Sequence, residues 1–174
     1  VMVVHLTNRK AFEEVMRARM NGQKVYAETC PQYLEFTCDV YKREDGRNFV
    51  CSPPMKGEES RKALWTALKS GFIDTVATDH CPFQSYEKDW GKDDFSKIPN
   101  GCAGVENLYP YMLDAANRGE ISYEKAVEVC AANPARIFGC VTKGSLEPGK
   151  DADIVIYDPR KDFTVSVSNM HSDY

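Results

Sequence analysis

Apolar and polar positions at the start of the chain follow two different periods. The run VMVVHL at 1–6 predicts a strand, and in NRKAFEEVMRARMNGQ the residues Ala11, Val15 and Ala18 recur at helical spacing before a stop at Asn21–Gly22. KVYAET then predicts a second strand. A strand, a helix and a strand without a hairpin turn between them predict a parallel βαβ unit.

The pattern continues through the middle of the chain. PQYLEF predicts a short helix, and NFVCSPPM predicts a brief strand broken by two prolines. Residues 57–71 have an apolar helical face that ends at Gly71, and the strand IDTVATD follows at once. A charged loop then runs from about His80 to Gly104, and a loop of this length in a compact domain is more often functional than idle.

In its last third the chain changes from helical sequence patterns to patterns of strands and turns. VENLYPYMLDAANRG, SYEKAVEVCAAN and PARIFG predict three consecutive helices, whereas the residues from Lys143 onward predict short strands between turns. We therefore expect a domain boundary near residue 143. Alternating strands and helices favour an α/β fold of the TIM-barrel type, but a whole barrel needs about 250 residues. The 174 residues supply three or four of its eight units, so we expect a fragment.

Composition narrows the possible partners. The 22 basic and 26 acidic residues give a net charge of −4 without a dense basic cluster, which argues against nucleic acid. No apolar run approaches a membrane span and no signal peptide is evident, so a cytoplasmic protein is the default expectation. Seven scattered cysteines without a CxxC pair favour reduced, mostly buried thiols over a disulfide framework or a thiolate zinc site.

Asp79 and His5 occupy equivalent positions in two βα units. Each is a polar residue at the carboxyl end of an apolar strand, where barrel enzymes place their sites. A carboxylate there can bind a divalent metal and take a proton from water. The alternative for Asp79 is that it caps the turn after the strand. The alternative for His5 is a structural histidine whose hydrogen bonds are made within the core or a loop. His80 points to the opposite face from Asp79, which argues against a shared metal.

Two loop positions are candidates for ligand contact. Ser52 precedes Pro53 and Pro54, which favour extended backbone with free amides and carbonyls, although a rigid turn is the simpler interpretation. Asn100 and Gly101 tolerate unusual backbone and suit close approach to a ligand, and here an ordinary turn is the alternative.

Seven motifs in order resemble the cyclic amidohydrolases of the dihydropyrimidinase and D-hydantoinase type. They are VVHLTNRKA, YAETCPQYL, CSPPMK, ATDHCPF, DDFSKIPNG with GVEN, NPARIFG and KGSLEPGKDADIVIYDP. The resemblance runs from His5 to about Tyr174 and implies the later part of such an enzyme. It implies that residues 1–143 belong to the (β/α)8 barrel and that residues 144–174 form part of a β-sandwich.

The resemblance also implies roles for single residues. His5 and Asp79 match metal ligands, Asp79 also matches the residue that moves protons, and Ser52 and Asn100 match positions whose main chain binds the cyclic substrate. The family's His-x-His pair, a further histidine, a tyrosine of the oxyanion site and a carbamylated lysine that bridges two zinc ions fall before residue 1. CAG at 102–104 stands where GPG is commoner in the family, which leaves the loop conformation and the preferred substrate open.

The implied activity is metal-dependent hydrolysis of the ring amide C–N bond of a dihydropyrimidine or a 5-substituted hydantoin. The resemblance further implies two Zn²⁺ ions, a small cyclic amide substrate and a homo-oligomer, a tetramer in the intact protein. The alternatives are a non-catalytic assembly protein of the same fold and an allantoinase-type cyclic amidase. With two of the expected ligands present, we expect the isolated chain to be catalytically silent, to hold no tight metal pair and to self-associate.

Overall fold

Three short parallel strands form the sheet at the centre of the protein. The computed structural model describes residues 1–162, 164–166 and 168–172. Strands β1 (Met2–Val3), β2 (Tyr26–Thr29) and β3 (Thr75–Val76) lie in the order β1-β2-β3. Met2 lies opposite Tyr26, and Glu28 opposite Thr75. Because the strands are parallel, their carboxyl ends meet at one edge of the sheet, and the prediction of a βαβ unit is confirmed.

Helices and helical turns account for most of the remaining regular structure in the described residues. The α-helices are α1 (Arg9–Met20), α2 (Pro31–Glu35), α3 (Glu58–Lys69), α4 (Ser85–Lys88), α5 (Leu108–Asn117), α6 (Tyr123–Val127) and α7 (Asn133–Phe138). Four 3₁₀ segments, Cys38–Lys42, Gly46–Phe49, Asp89–Gly91 and Phe95–Lys97, and a π-helical turn, Glu128–Ala132, complete them. The three consecutive helices predicted before residue 143 are therefore confirmed.

Capping residues explain why the two crossover helices have these limits. Helix α1 begins where the Asn8 side chain accepts a hydrogen bond from the Ala11 amide at 2.8 Å, and left-handed Gly22 follows its end. Helix α3 is followed by left-handed Gly71, after which the chain enters β3. Each helix thus ends a few residues before the strand that follows it.

The core lies between this sheet and the helices that cover it. Its largest fully buried apolar side chains come from α2, α3, α5, the π-helical turn and the segment before β3, and they include Leu34, Leu64, Leu68, Ile73, Met112 and Val129. Each such side chain contributes about 1.5–3 kcal/mol to folding through its removal from water. The core therefore fixes the sheet as a platform for the residues at its carboxyl edge.

Polar contacts also tie the strands together. The Asp74 carboxylate accepts a 2.7 Å hydrogen bond from the Ala27 amide and forms an ion pair with Arg19 of α1. Thr75 donates through Oγ1 to the Glu28 carboxylate at 2.8 Å. These contacts join β2 to β3 and α1 to both strands, so they hold the strand order that places the candidate site.

The loop regions differ from the sequence predictions in two places. The strand predicted in NFVCSPPM is wrong, because residues 46–49 form a 3₁₀ segment and the following prolines lack the amides that a strand needs. The loop predicted between His80 and Gly104 contains α4 and two of the 3₁₀ segments. Buried Gly91 packs tightly there, since a Cβ on it would lie 2.1 Å from Ile98 Cγ1.

The residues after 143 also differ from expectation. The described residues from 144 to 172 contain no strand, so the predicted short strands are not observed there. Ile156, part of the apolar pattern that predicted them, is 95% exposed and has no sheet to pack against. The boundary between 1–143 and 144–174 stays a prediction, and residues 163, 167, 173 and 174 of the second region lie outside the described residues.

The expectation of reduced cysteines holds, but the expectation that most are buried is wrong. Each of the seven is free of a disulfide, yet Cys30 and Cys51 alone are buried. No helix among the described residues has the length and apolar character needed to cross a membrane.

Candidate active site

His5 and Asp79 lie at the same edge of the sheet. His5 follows β1 and Asp79 follows β3, with β2 between them, so the two strand ends are separated by about 10 Å, or two strand spacings. Both residues have left-handed backbone, with φ of 42° and 49°. They are the two non-glycine residues in this region of φ within the described parts of the chain. Such backbone is strained for a residue with a side chain, and strain of this kind concentrates at functional sites.

Hydrogen bonds to β2 fix the backbone next to His5. The Leu6 amide donates to the Glu28 carbonyl at 2.7 Å, and the buried Thr29 hydroxyl donates to the Leu6 carbonyl at 2.7 Å. These bonds hold both peptide groups of Leu6, so the left-handed turn at His5 is set by its neighbours.

The backbone that leads to Asp79 is held in the same way. The Ala77 amide donates to the Thr29 carbonyl at 3.1 Å, and the Gln32 side chain donates to the Thr78 carbonyl at 3.1 Å. Asp79 itself is exposed at the carboxyl edge. Its carboxylate is therefore presented to solvent from a rigid support.

The charge of Asp79 acts on two buried, weakly acidic groups, the Cys30 thiol and the Tyr33 hydroxyl. Burial raises the pKa of the Cys30 thiol, and the charges of Glu28 and Asp79 raise it further. Burial also raises the pKa of the Tyr33 hydroxyl, which donates a 2.8 Å hydrogen bond to the Pro53 carbonyl. Both groups therefore stay protonated near neutral pH.

His80 supports a loop. Its Nδ1 accepts hydrogen bonds from the amides of Gly104 and Val105 at 3.1 and 3.2 Å. In a neutral imidazole whose Nδ1 accepts, the proton is on Nε2. This contact gives His80 a structural role, because it holds the loop at Gly104 and Val105 next to the end of β3.

Ser52 and Asn100, predicted on separate motifs, lie in contact. Ser52 Oγ donates to Asn100 Oδ1 at 2.9 Å, and both residues are exposed. Among the described residues, the backbone amides and carbonyls of Ser52 and Asn100 have no protein hydrogen-bond partner. Two pairs of main-chain donors and acceptors are thus available to a ligand. We call residues 50–52 and 99–101 the paired loops.

Gly101 joins the paired loops to the strand end that carries Asp79. Its amide donates to the Val50 carbonyl at 3.0 Å, and a Cβ on it would lie 2.3 Å from the Cys81 carbonyl oxygen. The Cys81 amide donates to the Cys102 carbonyl at 3.1 Å. Glycine is therefore required at this close approach, which places Asn100 beside the carboxyl edge of the sheet.

The thiol of Cys51, in the first of the paired loops, meets the thiol of Cys102. A hydrogen bond from Cys102 lowers the pKa of the Cys51 thiol to about 7, and the same bond raises the pKa of Cys102. Cys102 belongs to the CAG triplet at 102–104, and it places a second sulfur against Cys51.

Lys88 is the residue of this region that the sequence did not reveal. It is 2% exposed and its ammonium group donates to the carbonyls of Val50, Pro99 and Gly101 at 2.6–2.8 Å. Burial lowers the pKa of Lys88. In the segment YEKDWGKDD a lysine is expected to be solvated, so the sequence carried no signal for this contact.

The side chains present offer part of a metal site. Imidazole nitrogen and carboxylate oxygen, as in His5 and Asp79, are ordinary ligands of Zn²⁺. Across the described ranges, no group of three or more His, Cys, Asp or Glu side chains could hold a metal ion. The donor chemistry of His5 and Asp79 suits a metal, but two such side chains are fewer than a zinc centre needs.

Comparisons with known proteins agree with this arrangement. The sequence profile of the Amidohydrolase family matches residues 3–173. The D-hydantoinase of Streptomyces coelicolor is 43% identical over 173 residues, which cover 97% of this chain and 37% of the relative. The structure of a D-hydantoinase (dihydropyrimidinase) from Thermus sp. superposes with a TM-score of 0.92 at 34% identity, covering 98% of this chain and 38% of that one.

A dihydropyrimidinase structure from Brevibacillus agri also superposes, with a TM-score of 0.83 at 37% identity, covering 87% of this chain and 34% of that one. The chain therefore spans a little over a third of the length of the relatives that it matches. The profile match extends over nearly all of the sequence, and the parallel strands with polar residues at their carboxyl edge agree with it. The chain belongs to the amidohydrolase family.

Proposed function

We propose that the whole protein hydrolyses the ring amide C–N bond of a dihydropyrimidine or a 5-substituted hydantoin, with zinc bound by His5, Asp79 and ligands outside this chain. The observation that carries the proposal is the shared left-handed backbone of His5 and Asp79 at the same edge of the sheet. Two strained residues at one edge, both with metal-binding side chains, support a catalytic centre over a purely structural one. The family match and the hydantoinase relatives support the choice of substrate.

Asp79 has the chemistry for the proton transfers of this reaction. A zinc pair supplies, when bound, a lowered pKa of water and polarisation of the substrate carbonyl. The Asp79 carboxylate takes a proton from the attacking water and delivers it to the ring nitrogen as the C–N bond breaks. Its exposed position at the end of β3 suits this role, because one carboxylate oxygen can face the substrate while the residue stays anchored through Ala77 and Thr78.

The paired loops have the groups needed to bind the ring. Hydantoins and dihydropyrimidines share an imide edge, in which an N–H lies between two carbonyl groups. The available amides and carbonyls of Ser52 and Asn100 complement such an edge, donor to acceptor and acceptor to donor. Since both rings present this edge, these residues bind the shared part of the substrate, and the ring substituent is selected elsewhere.

The test is turnover of hydantoin and dihydrouracil by the whole protein and by an Asp79→Asn variant. Asparagine keeps the size of the side chain and removes the carboxylate that accepts the proton, so both activities should fall by at least about a hundredfold. Asp93→Asn is the matched control, because Asp93 is an exposed carboxylate of the adjacent loop. Its activity should equal that of the unaltered protein.

Three measurements separate the outcomes. Circular dichroism checks that Asp79→Asn is folded, and elemental analysis measures zinc, of which about two equivalents per subunit are expected in the unaltered protein. Retained turnover in folded Asp79→Asn would refute the role of Asp79. Absence of both zinc and hydrolysis in the unaltered protein would instead identify a non-catalytic member of the family.

A further inference from the structure

Lys88 is a buried cation whose partners are backbone carbonyl oxygens. Its Nζ lies 2.8 Å from Val50 O, 2.6 Å from Pro99 O and 2.8 Å from Gly101 O, so all three ammonium hydrogens have an acceptor. The residue is 2% exposed. Removing an ammonium group from water is costly unless it is fully hydrogen-bonded, and these three bonds meet that condition.

The three carbonyls belong to the paired loops. Val50 lies two residues before Ser52, and Pro99 and Gly101 are the two neighbours of Asn100. One ammonium group therefore joins the two segments whose main chains we assign to the substrate. The Gly101 amide adds one direct bond between them, to the same Val50 carbonyl.

The support of Lys88 is itself well defined. It ends the one-turn helix α4, whose start is closed by a 2.7 Å hydrogen bond from the Gln84 amide to the Glu87 carboxylate. Its ammonium group also lies 5.2 Å from the centroid of the Phe83 ring. The lysine thus reaches the carbonyls from a fixed backbone, and its position sets the separation of the paired loops.

We propose that Lys88 is a positioning residue for substrate binding, which fixes the main chain of Ser52 relative to that of Asn100 through their neighbouring carbonyls. The inference rests on the proposed function, since it assigns to Lys88 the geometry of the imide-binding groups. It does not place Lys88 in contact with substrate. The expected signature is a change in KM, because the groups that bind the ring are displaced while Asp79 and His5 keep their supports on the strands.

The experiment compares steady-state kinetics of the whole protein with two variants. Lys88→Met keeps the length of the side chain and removes every donor, whereas Lys88→Gln keeps a short donor group. KM for hydantoin should rise by about tenfold or more in Lys88→Met and by less in Lys88→Gln, with kcat within about threefold of the unaltered value. Lys92→Met is the matched control, because Lys92 is an exposed lysine four residues away, and its KM should not change.

Zinc content and circular dichroism show whether a variant has lost the fold. If Lys88→Met does not fold, Lys88→Gln decides by the same KM criterion. An unchanged KM in a folded variant overturns the positioning role and leaves the proposed function standing. Equal losses of kcat, zinc and helical signal also overturn it, since they indicate a purely structural lysine. If the unaltered protein hydrolyses neither ring, the proposed function fails and this inference falls with it.

Discussion

Replacing Gly101 by alanine adds one methyl group at the closest backbone approach near the candidate site. The new Cβ would lie 2.3 Å from the Cys81 carbonyl oxygen, 2.7 Å from Cys81 Cβ and 2.9 Å from Cys81 Sγ. Because the nearest obstacle is backbone, a side-chain rotation cannot relieve the contact. We expect Gly101→Ala to push the 99–101 segment away from the strand end that carries Asp79.

The cost follows from the same distances. Ordinary contact between such atoms needs about 3.5 Å, so one segment has to move by about 1 Å. An extra methyl group in packed surroundings costs about 1–3 kcal/mol. The shift also endangers the hydrogen bond from the Gly101 amide to Val50, worth about 0.5–1.5 kcal/mol. Alanine recovers about 0.4–1 kcal/mol by restricting the unfolded chain, which leaves a net loss of about 0.5–4 kcal/mol.

The assay is urea unfolding of the whole protein, followed by circular dichroism, together with KM for hydantoin. Gly104→Ala is the matched control, since a Cβ there would lie 3.5 Å from Thr78 Cβ, an ordinary contact, and its backbone is not left-handed. Gly104→Ala should leave the stability unchanged or slightly raised, whereas Gly101→Ala should lower the stability and raise KM. Equal stability of the two variants would show that the close approach to Cys81 is not a constraint in solution.

Two further predictions concern Ser52 and an acid-dependent contact of Glu106. Ser52→Ala removes the 2.9 Å hydrogen bond to Asn100 but keeps the main-chain groups. Steady-state kinetics should therefore show an increase in KM of about two- to fivefold. Complete loss of activity would mean that the hydroxyl itself binds substrate. Hydrogen bonds from the His171 backbone and side chain lower the pKa of Glu106 to about 2, from an ordinary value of 4.5. A contact that lowers the pKa of a carboxylate is fully stabilising at pH values above the ordinary pKa of that group. The contact is lost as the pH falls towards the lowered pKa. Pepsin should therefore spare residues 168–172 at pH 4 and cleave there at pH 2, and Glu106→Gln should be cleaved at both; equal cleavage of the unaltered protein at the two pH values would contradict this.

Local sequence signals were sufficient for the sheet and its crossover helices. Asn8 as a cap and Gly22 and Gly71 as stops act within a few residues of each helix end, so their effect is visible in the sequence. The position of His5 and Asp79 at the carboxyl edge of the sheet could also be predicted, because parallel strands bring their carboxyl ends together. The left-handed backbone at both residues could not, since it depends on hydrogen bonds to β2.

The errors arose where distant partners decide the structure. The segment after Phe49 is not a strand, because the Val50 carbonyl binds Lys88 and Gly101 instead of a neighbouring strand. The residues after 143 have an apolar pattern without a sheet to cover it in the described part of the chain. The role of Lys88 depends on contacts that join residues 38, 11 and 13 positions apart, and no local pattern reports them.

The left-handed backbone of His5 and Asp79 has a consequence for how relatives diverge. Glycine would adopt these conformations more easily, by about 1–2 kcal/mol per residue, so stability alone favours replacing both side chains. The presence of histidine and aspartate here is therefore better explained by what their side chains do than by stability. A relative that no longer needs these side chains gains stability by a change to glycine. Glycine at either position would therefore mark a relative that keeps the fold and has lost the chemistry of this site.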